Sequence, residues 1–263
     1  MTRSLLCADI GNSHTTVGLV RDGEVTDHWR VATDERRTSD EWGVLLRALL
    51  PLSAAEPVES RLLGVAVCSS VPAVLQEWRQ MLEGHFPGIP HLVVETGVRT
   101  GLPVRMDNPR EVGSDRIVNA IAAAELYEGP CIVVDFGTAT TFDVVSAKGE
   151  YVGGAIAPGI AISLEALGRR GAQLRKVELQ RPRSVIAKNT VEALQSGALY
   201  GFASQVDGMV ARMTAELGLE PGEVTVIATG GLAAGVVEEC ASITVHEPWL
   251  TLLGLEIAFA RNS

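Results

Sequence analysis

Two short stretches, DIGNSHTT at residues 9–16 and DFGTATT at residues 135–141, decide how this chain is read. In each, an apolar run (SLLCADI at residues 4–10, CIVVDF at residues 131–136) leads into an aspartate, one residue and a glycine. Small hydroxyl or amide side chains follow. A buried strand that ends in aspartate puts a carboxylate at the carboxyl edge of a sheet, where ligands collect in α/β folds. Gly11 permits close approach of an anion to the backbone, and Asn12, Ser13, Thr15 and Thr16 carry donors suited to phosphate oxygens. Taken once, such a loop also reads as a plain hairpin in which Asp and Asn make turn bonds.

Asp9 and Asp135 stand 126 positions apart (135 − 9), and so do Gly11 and Gly137, Thr15 and Thr141, Gly23 and Gly149, Glu24 and Glu150. Five identities in an ungapped window of sixteen, most at turn or polar positions, mark an internal repeat. Around each copy the elements come in the same order: buried strand, second strand (TTVGLV or TTFDVV), turn (RDGE or AKGE), third strand (VTDHWRV or YVGGAIA). The period is far longer than that of a solenoid, so the expectation is two similar domains. Two carboxylate-bearing hairpins, one per domain, can clamp a magnesium nucleotide. A third element suits that scheme: VTVIATGG, residues 224–231, a strand followed by Gly230 and Gly231.

Helices are expected between the strands. TSDEWGVLLRALL opens with Thr38 and carries Glu41 three residues on, a capping box. SSVPAVLQEWRQML offers Ser69 or Ser70 as a cap, and GSDRIVNAIAAAELY puts Ile117, Ile121 and Ala124 on one face. Residues 189–217 form a long amphipathic stretch, and WLTLLGLEIAFA closes as an apolar helix. Strands alternating with helices in both halves predict α/β layers. A breaker at Pro109 places the boundary between domains 1–112 and 113–263.

The formal charge is −10, from 22 basic and 32 acidic residues, and no run of Lys or Arg interrupts it. A nucleic-acid surface is therefore not expected. An anion must be held locally, by backbone N–H groups, a few arginines or metal ions. Cys7, Cys68, Cys131 and Cys240 are widely spaced with no C-x-x-C, which predicts buried free thiols in a reducing compartment. No apolar run is long enough to span a bilayer, and the N-terminus lacks a signal-peptide core. The expected location is the cytoplasm. The five histidines share no metal-site spacing.

In NPREVGSDRIVNA, residues 108–120, Gly113 and Ser114 precede Asp115 and Arg116 at the first turn of a helix. Amides there can hold an anion, and Arg116 can pair with a carboxylate. On the residues alone, Asp115 either favours the helix N-terminus or accepts a proton from an attacking hydroxyl. GGAIAPGI, residues 153–160, either brings a helix N-terminus towards an acceptor pocket or is a simple loop.

Taken together, DIGNSHTT, NPREVGSDRIVNA, DFGTATTFDVV, GGAIAPGI and AKNTVEALQSG closely resemble the type III pantothenate kinases. The resemblance implies two ribonuclease H-like domains of the actin, Hsp70 and sugar-kinase ATPase type, with mixed sheets flanked by helices. It implies transfer of phosphate from ATP to pantothenate, the first step of coenzyme A synthesis, by a homodimer. Mg²⁺ and a monovalent cation, K⁺ or NH₄⁺, are the implied cofactors. Carried onto this chain, Asp9, Gly11, Asn12, Ser13, Thr15 and Thr16 bind ATP phosphate, and Asp9 holds Mg²⁺ through water. Thr138 contacts the nucleotide and Asp135 the monovalent cation. Met106, Gly113, Ser114, Asp115 and Arg116 hold pantothenate, with Asp115 the general base, and Thr190 reaches the pantothenate of the other subunit.

The chain departs from the family pattern at four positions: Met106 replaces a tyrosine, Ser13 a threonine, Ser114 an alanine and Ala187 a glycine. Two other functions compete: another small-molecule kinase of the same superfamily, and a catalytically degenerate paralogue acting as a regulator. The cluster of polar side chains that a sugar site needs is not evident. The long stretch after Asn189, with GALYGF inside it, is the expected dimer contact.

Overall fold

The computed structural model describes residues 3–50, 61–170 and 177–263. Its strands form two five-stranded mixed sheets. The first holds β1 (Ser4–Ile10), β2 (His14–Arg21), β3 (Glu24–Ala32), β4 (Leu62–Ser69) and β5 (His91–Val93) in the order β3-β2-β1-β4-β5. The second holds β6 (Cys131–Phe136), β7 (Ala139–Val145), β8 (Tyr151–Pro158), β9 (Thr225–Thr229) and β10 (Val245–His246), and β8-β7-β6-β9-β10 repeats that order. In both, the first three strands form an antiparallel meander and the last two join in parallel. The central strands β1 and β6 are buried along almost their whole length, as strands covered on both faces must be. The edge strand β3 is largely exposed and carries Asp27, His28 and Arg30, side chains that discourage edge-to-edge pairing.

Strand register sharpens the repeat. Asp9 pairs with Thr16 in the first sheet, and Asp135 with Thr141 in the second. The first loop is therefore one residue longer than its counterpart: Gly11 N–H closes on His14 O (3.1 Å), and Gly137 N–H on Ala139 O (3.0 Å). The next turn compensates, since Val20 pairs with Val25 while Val145 pairs with Tyr151. Each β2-type strand also carries a bulge at the matching place, between Leu19 and Val20 and between Val144 and Val145. Bulges are built features rather than accidents. The ungapped match of Thr15 with Thr141 is thus out of structural register, and the true counterpart of Thr141 is Thr16.

The first sheet packs on α1 (Ser39–Leu49) and α2 (Pro72–His85), whose Trp42 and Trp78 rings meet at 5.3 Å between centroids in a dry core with Leu6, Val17, Val65 and Val67. The expected Thr38–Glu41 capping box opens α1. At α2 neither serine caps the helix: Val71 is the N-cap, without a side-chain bond, and Pro72 starts the first turn. Proline suits that position because its missing N–H would have had no helical partner. The second sheet packs on α4 (Ile160–Arg170) and α5 (Thr190–Glu216). There Leu199, Ala203, Val206 and Val210 recur at helical spacing against Ile132, Val134, Phe136 and Phe142.

Two further helices are α3 (Ser114–Leu126) and α6 (Leu250–Asn262). The chain divides into two compact units: Met1–Gly101 with Asp107–Ala122 and Trp249–Ser263, and Leu102–Met106 with Ala123–Pro248. This differs from a single cut near residue 112. The start of α3 and all of α6 belong with the first sheet, because α6 packs on it. A Cβ at Gly18 of β2 or Gly64 of β4 would overlap the Leu252 or Phe259 side chain, and one at Gly254 would overlap Val118 of α3. Glu256 also accepts a hydrogen bond from Gly23 N (3.1 Å) in the turn between β2 and β3. All four cysteines are buried and free. Among the described residues no helix is long and apolar enough to cross a membrane.

Candidate active site

In the first unit, β1 delivers Asp9 half-buried at its carboxyl end, with the Cys68 thiol donating to Asp9 Oδ1 at 3.5 Å. The loop that follows exposes Asn12, Ser13 and His14. Its base is fixed from within. Thr33 Oγ1 donates to Gly11 O (2.7 Å) and meets Thr15 Oγ1 at 2.9 Å, and Thr33 N donates to Ser13 O (3.1 Å). Thr15 is fully buried, so its hydroxyl serves the loop's own framework rather than a ligand. Thr16, directly opposite Asp9 across the strand pair, shares the Asp9 face of the sheet. Arg30 Nη2 lies 2.9 Å from His14 Nδ1. A guanidinium can only donate, so Nδ1 is the acceptor and the imidazole is neutral. Burial first, and the Arg30 charge second, lower its pKa in keeping with this.

The residues of the 113–116 turn lie in the same unit. Asp115 and Arg116 occupy the first turn of α3, both half-buried. Asp115 Oδ1 accepts from Arg116 N at 2.9 Å. Gly113 makes room for it, since a Cβ there would sit 2.5 Å from Asp115 Oδ1. Ser114 Oγ donates to Ser69 O (3.0 Å) and accepts from Ser69 N (3.1 Å). Burial, then the charges of Asp9 and Asp115, raise the Cys68 thiol well above its ordinary value. Asp9 and the first turn of α3 thus both meet the end of β4, at Cys68 and Ser69.

In the second unit, Asp135 ends β6 half-buried opposite Thr141. Gly230 has φ +93°, and a Cβ there would overlap Asp135 Oδ1 and the Phe136 backbone. Only glycine lets the loop after β9 lie against that carboxylate. Gly159 N donates to Thr138 O (3.2 Å), and a Cβ at Gly159 would stand 2.7 Å from Gly137 O. The GGAIAPGI segment thus brings the start of α4 onto the 137–138 turn. Met106, also in this unit, is half-buried, and its Sδ lies 3.6 Å from where a Gly153 Cβ would stand. Thr190 is exposed in the first turn of α5, which Asn189 caps. Arg183 pairs with Glu192 there at 2.5 and 2.9 Å.

Several residues escaped the sequence reading. Thr33, Ser69 and Cys68 act through contacts that no local spacing reveals. Asp143 did leave a signal, as a charged residue inside the apolar run TTFDVV. It is fully buried and accepts from Thr141 Oγ1 (3.0 Å) and Tyr151 Oη (2.7 Å).

Among the described residues no three His, Cys, Asp or Glu side chains gather to hold a metal ion. A single half-buried carboxylate such as Asp9 fits Mg²⁺ that arrives on a nucleotide, because Mg²⁺ usually keeps waters and phosphate ligands and takes few from the protein. Asp135 beside the side-chain-free backbone of Gly230 fits a monovalent cation bound by carboxylate and backbone oxygen.

The family model described as type III pantothenate kinase matches residues 5–212. A type III pantothenate kinase from a Nocardioides species is 67% identical over 260 residues, covering 98% of this chain and 99% of its own. Among solved structures, a conserved putative Baf family transcriptional activator from Campylobacter jejuni aligns at TM-score 0.56 with 14% identity, over 98% of this chain and 97% of that one. MreB 5 of Spiroplasma citri bound to AMPPNP aligns at 0.54 with 10% identity, over 98% and 96%. These distant likenesses speak to fold alone, a fold shared with an MreB protein and a glucomannokinase. With the duplicated Asp–Gly hairpins, the Gly113–Arg116 turn and near-full-length identity in agreement, the chain belongs to the type III pantothenate kinase family.

Proposed function

We propose that this chain transfers the γ-phosphoryl group of ATP to the primary hydroxyl of pantothenate, in the cytoplasm, as the first step of coenzyme A synthesis. One observation carries the assignment of roles: Asp9 accepts from the Cys68 thiol, and Ser114, next to Asp115, is bonded to Ser69, so both carboxylates stand by the end of β4 in one compact unit. Phosphoryl transfer asks mainly for alignment and for neutralisation of spreading negative charge. Asn12, Ser13, Thr16 and the amides of the 11–13 loop serve the ATP phosphates in the first unit, and Thr138 serves the nucleotide in the second. Thr15 braces the loop. Arg116 takes the pantothenate carboxylate, with Gly113, Ser114 and Met106 around the substrate. The substrate oxygen forms its bond to the γ-phosphorus as the bond to the β-bridging oxygen breaks. Asp115 accepts the hydroxyl proton late in transfer, and ADP leaves.

Mg²⁺ at Asp9 and K⁺ or NH₄⁺ at Asp135 would supply positive charge beside the phosphates. The working form is a homodimer in which Thr190 of each subunit serves the pantothenate of the other. Exposed Val185, Ile186 and Val191, near Thr190 in sequence, support burial of that region between copies. The assay is direct: protein, ATP, Mg²⁺, K⁺ and pantothenate, with ADP as readout. Asp115→Asn is expected to keep the fold and lose about 10²–10⁴-fold in turnover. Wild-type turnover by the folded variant would refute the base assignment. No ADP from the unmodified protein with any monovalent cation would favour a regulator instead.

A further inference from the structure

Thr16 and Thr141 stand opposite Asp9 and Asp135, each across its own strand pair. Two residues further along, the hairpins part: Gly18 pairs with Cys7, whereas Asp143 pairs with Val133. Asp143 is thus the counterpart of a glycine whose missing side chain makes room for Leu252. Side chains two apart on a strand share a face. Accordingly Asp143 Oδ2 accepts from Thr141 Oγ1 (3.0 Å), while its Oδ1 accepts from Tyr151 Oη (2.7 Å). Asp143 and Tyr151 are both fully buried. The phenol is fixed in turn, since Tyr151 N donates to Pro103 O (2.9 Å) and Tyr151 O accepts from Arg105 N (2.8 Å). A threonine hydroxyl has one proton and two lone pairs. With the proton given to Asp143, Thr141 Oγ1 has only lone pairs to turn elsewhere. Such an oxygen repels a phosphate oxygen and suits a cation. Its β-carbon lies about 4.5–5.5 Å from that of Asp135, as directly opposite residues do. In the first hairpin Gly18 offers no carboxylate to take the Thr16 proton, so that hydroxyl can donate to phosphate.

We infer that Asp143 is a positioning residue for the Asp135 site: by taking the Thr141 proton it makes Thr141 Oγ1 a second oxygen ligand, beside the Asp135 carboxylate, for a monovalent cation. This rests on the assignment of that cation to Asp135 made above. K⁺ is held by oxygens that replace its hydration shell, and Asp135 alone fills few of those places. Thr141 touches the ion, whereas Asp143 acts through Thr141. A carboxylate is costly to bury, and outer partners that orient a metal ligand are typically worth about 10–100-fold in metal affinity.

The test reads binding rather than turnover. The full-length protein is titrated with a non-hydrolysable ATP analogue and Mg²⁺ by calorimetry, in KCl or in choline chloride at equal ionic strength. K⁺ should tighten the analogue in the unmodified protein. In Thr141→Val and in Asp143→Asn the K⁺ concentration that gives half of that gain should rise about 10–100-fold, with affinity in choline chloride within about twofold of the unmodified protein. Thr141→Ser, which keeps the hydroxyl, should recover most of the K⁺ response. The double variant should be little worse than Thr141→Val, because residues in one bonded network are non-additive. An unaltered K⁺ response in Thr141→Val overturns the proposal. So does an equal loss of affinity in both salts, which would make Thr141 a phosphate donor, or a full additional loss from Asp143→Asn in the Thr141→Val background. If Asp143→Asn fails to fold, Thr141→Ser decides: a restored hydroxyl without a restored K⁺ response overturns the proposal. Absence of any K⁺ effect in the unmodified protein, or its survival in Asp135→Asn, identifies the failure as that of the Asp135 assignment, and the proposal falls with it.

Discussion

The two hairpins are built on one plan and use it differently. In both, an aspartate closes the central strand, a threonine stands opposite it, and a bulge interrupts the second strand at the same place. The first loop has one more residue and exposes Asn12, Ser13 and His14, with Thr33 and Thr15 tying its base. The second is shorter, and two glycines from elsewhere in the chain, Gly159 and Gly230, press backbone against it. One loop exposes side chains, whereas the other holds a carboxylate walled by main chain.

The largest test of this contrast exchanges the cation sensitivities. Asp9→Asn should lose about 10²–10³-fold in turnover whatever the monovalent salt, the cost typical of removing one electrostatic partner of the transferring group. Asp135→Asn should abolish the difference between K⁺ and Na⁺ while keeping the response to Mg²⁺. Steady-state rates across both titrations would show it, and identical profiles for the two variants would break the comparison. Next in size, Gly230→Ala forces a side chain onto positive φ and into the Asp135 carboxylate. A cost of about 1–3 kcal/mol is expected, read from urea unfolding together with weakened K⁺ activation. Gly11→Ala should be milder, because its Cβ meets only His14 O at 3.1 Å.

Smaller again, Thr15→Val removes the bond to Thr33 and should cost about 1 kcal/mol of stability with KM for ATP nearly unchanged. Thr16→Val, on the Asp9 face, should raise that KM with little loss of stability. An increase in KM for Thr15→Val as large as for Thr16→Val would contradict the buried, bracing role of Thr15. The smallest effect concerns pH. The folded pKa of His14 lies below the ordinary 6.5, so as pH falls through that value the unfolded chain takes up more protons and stability declines. Its ring resonances should report a neutral Nε2–H tautomer at pH 7 and loss of the Arg30 bond on acidification.

The parts that were legible in advance obey local rules. The Asp–Gly loops, the capping box at Thr38 and Glu41 and the long α5 all leave their marks within a few residues. The serine caps expected for α2 were displaced by Pro72, whose fixed geometry sets the first turn unaided. The Thr15–Thr141 match misled because two single-residue differences in loop length cancel in an ungapped window, and only strand pairing exposes them. Asp115 was expected among the residues after 112, with the second domain, yet it belongs with Asp9. What draws it there is the packing of α6 and the grip of Ser114 on Ser69, both of long range and silent in local sequence.

The place of α6 has a bearing on how the chain is made. Residues 249–263 leave the ribosome after the entire second sheet has been synthesised, yet they cover Gly18, Gly64 and Val118 of the first unit. During translation the first sheet therefore waits with an apolar flank uncovered while the second gathers all its strands. Nascent chains stalled before Trp249 should be the ones that need chaperone shelter.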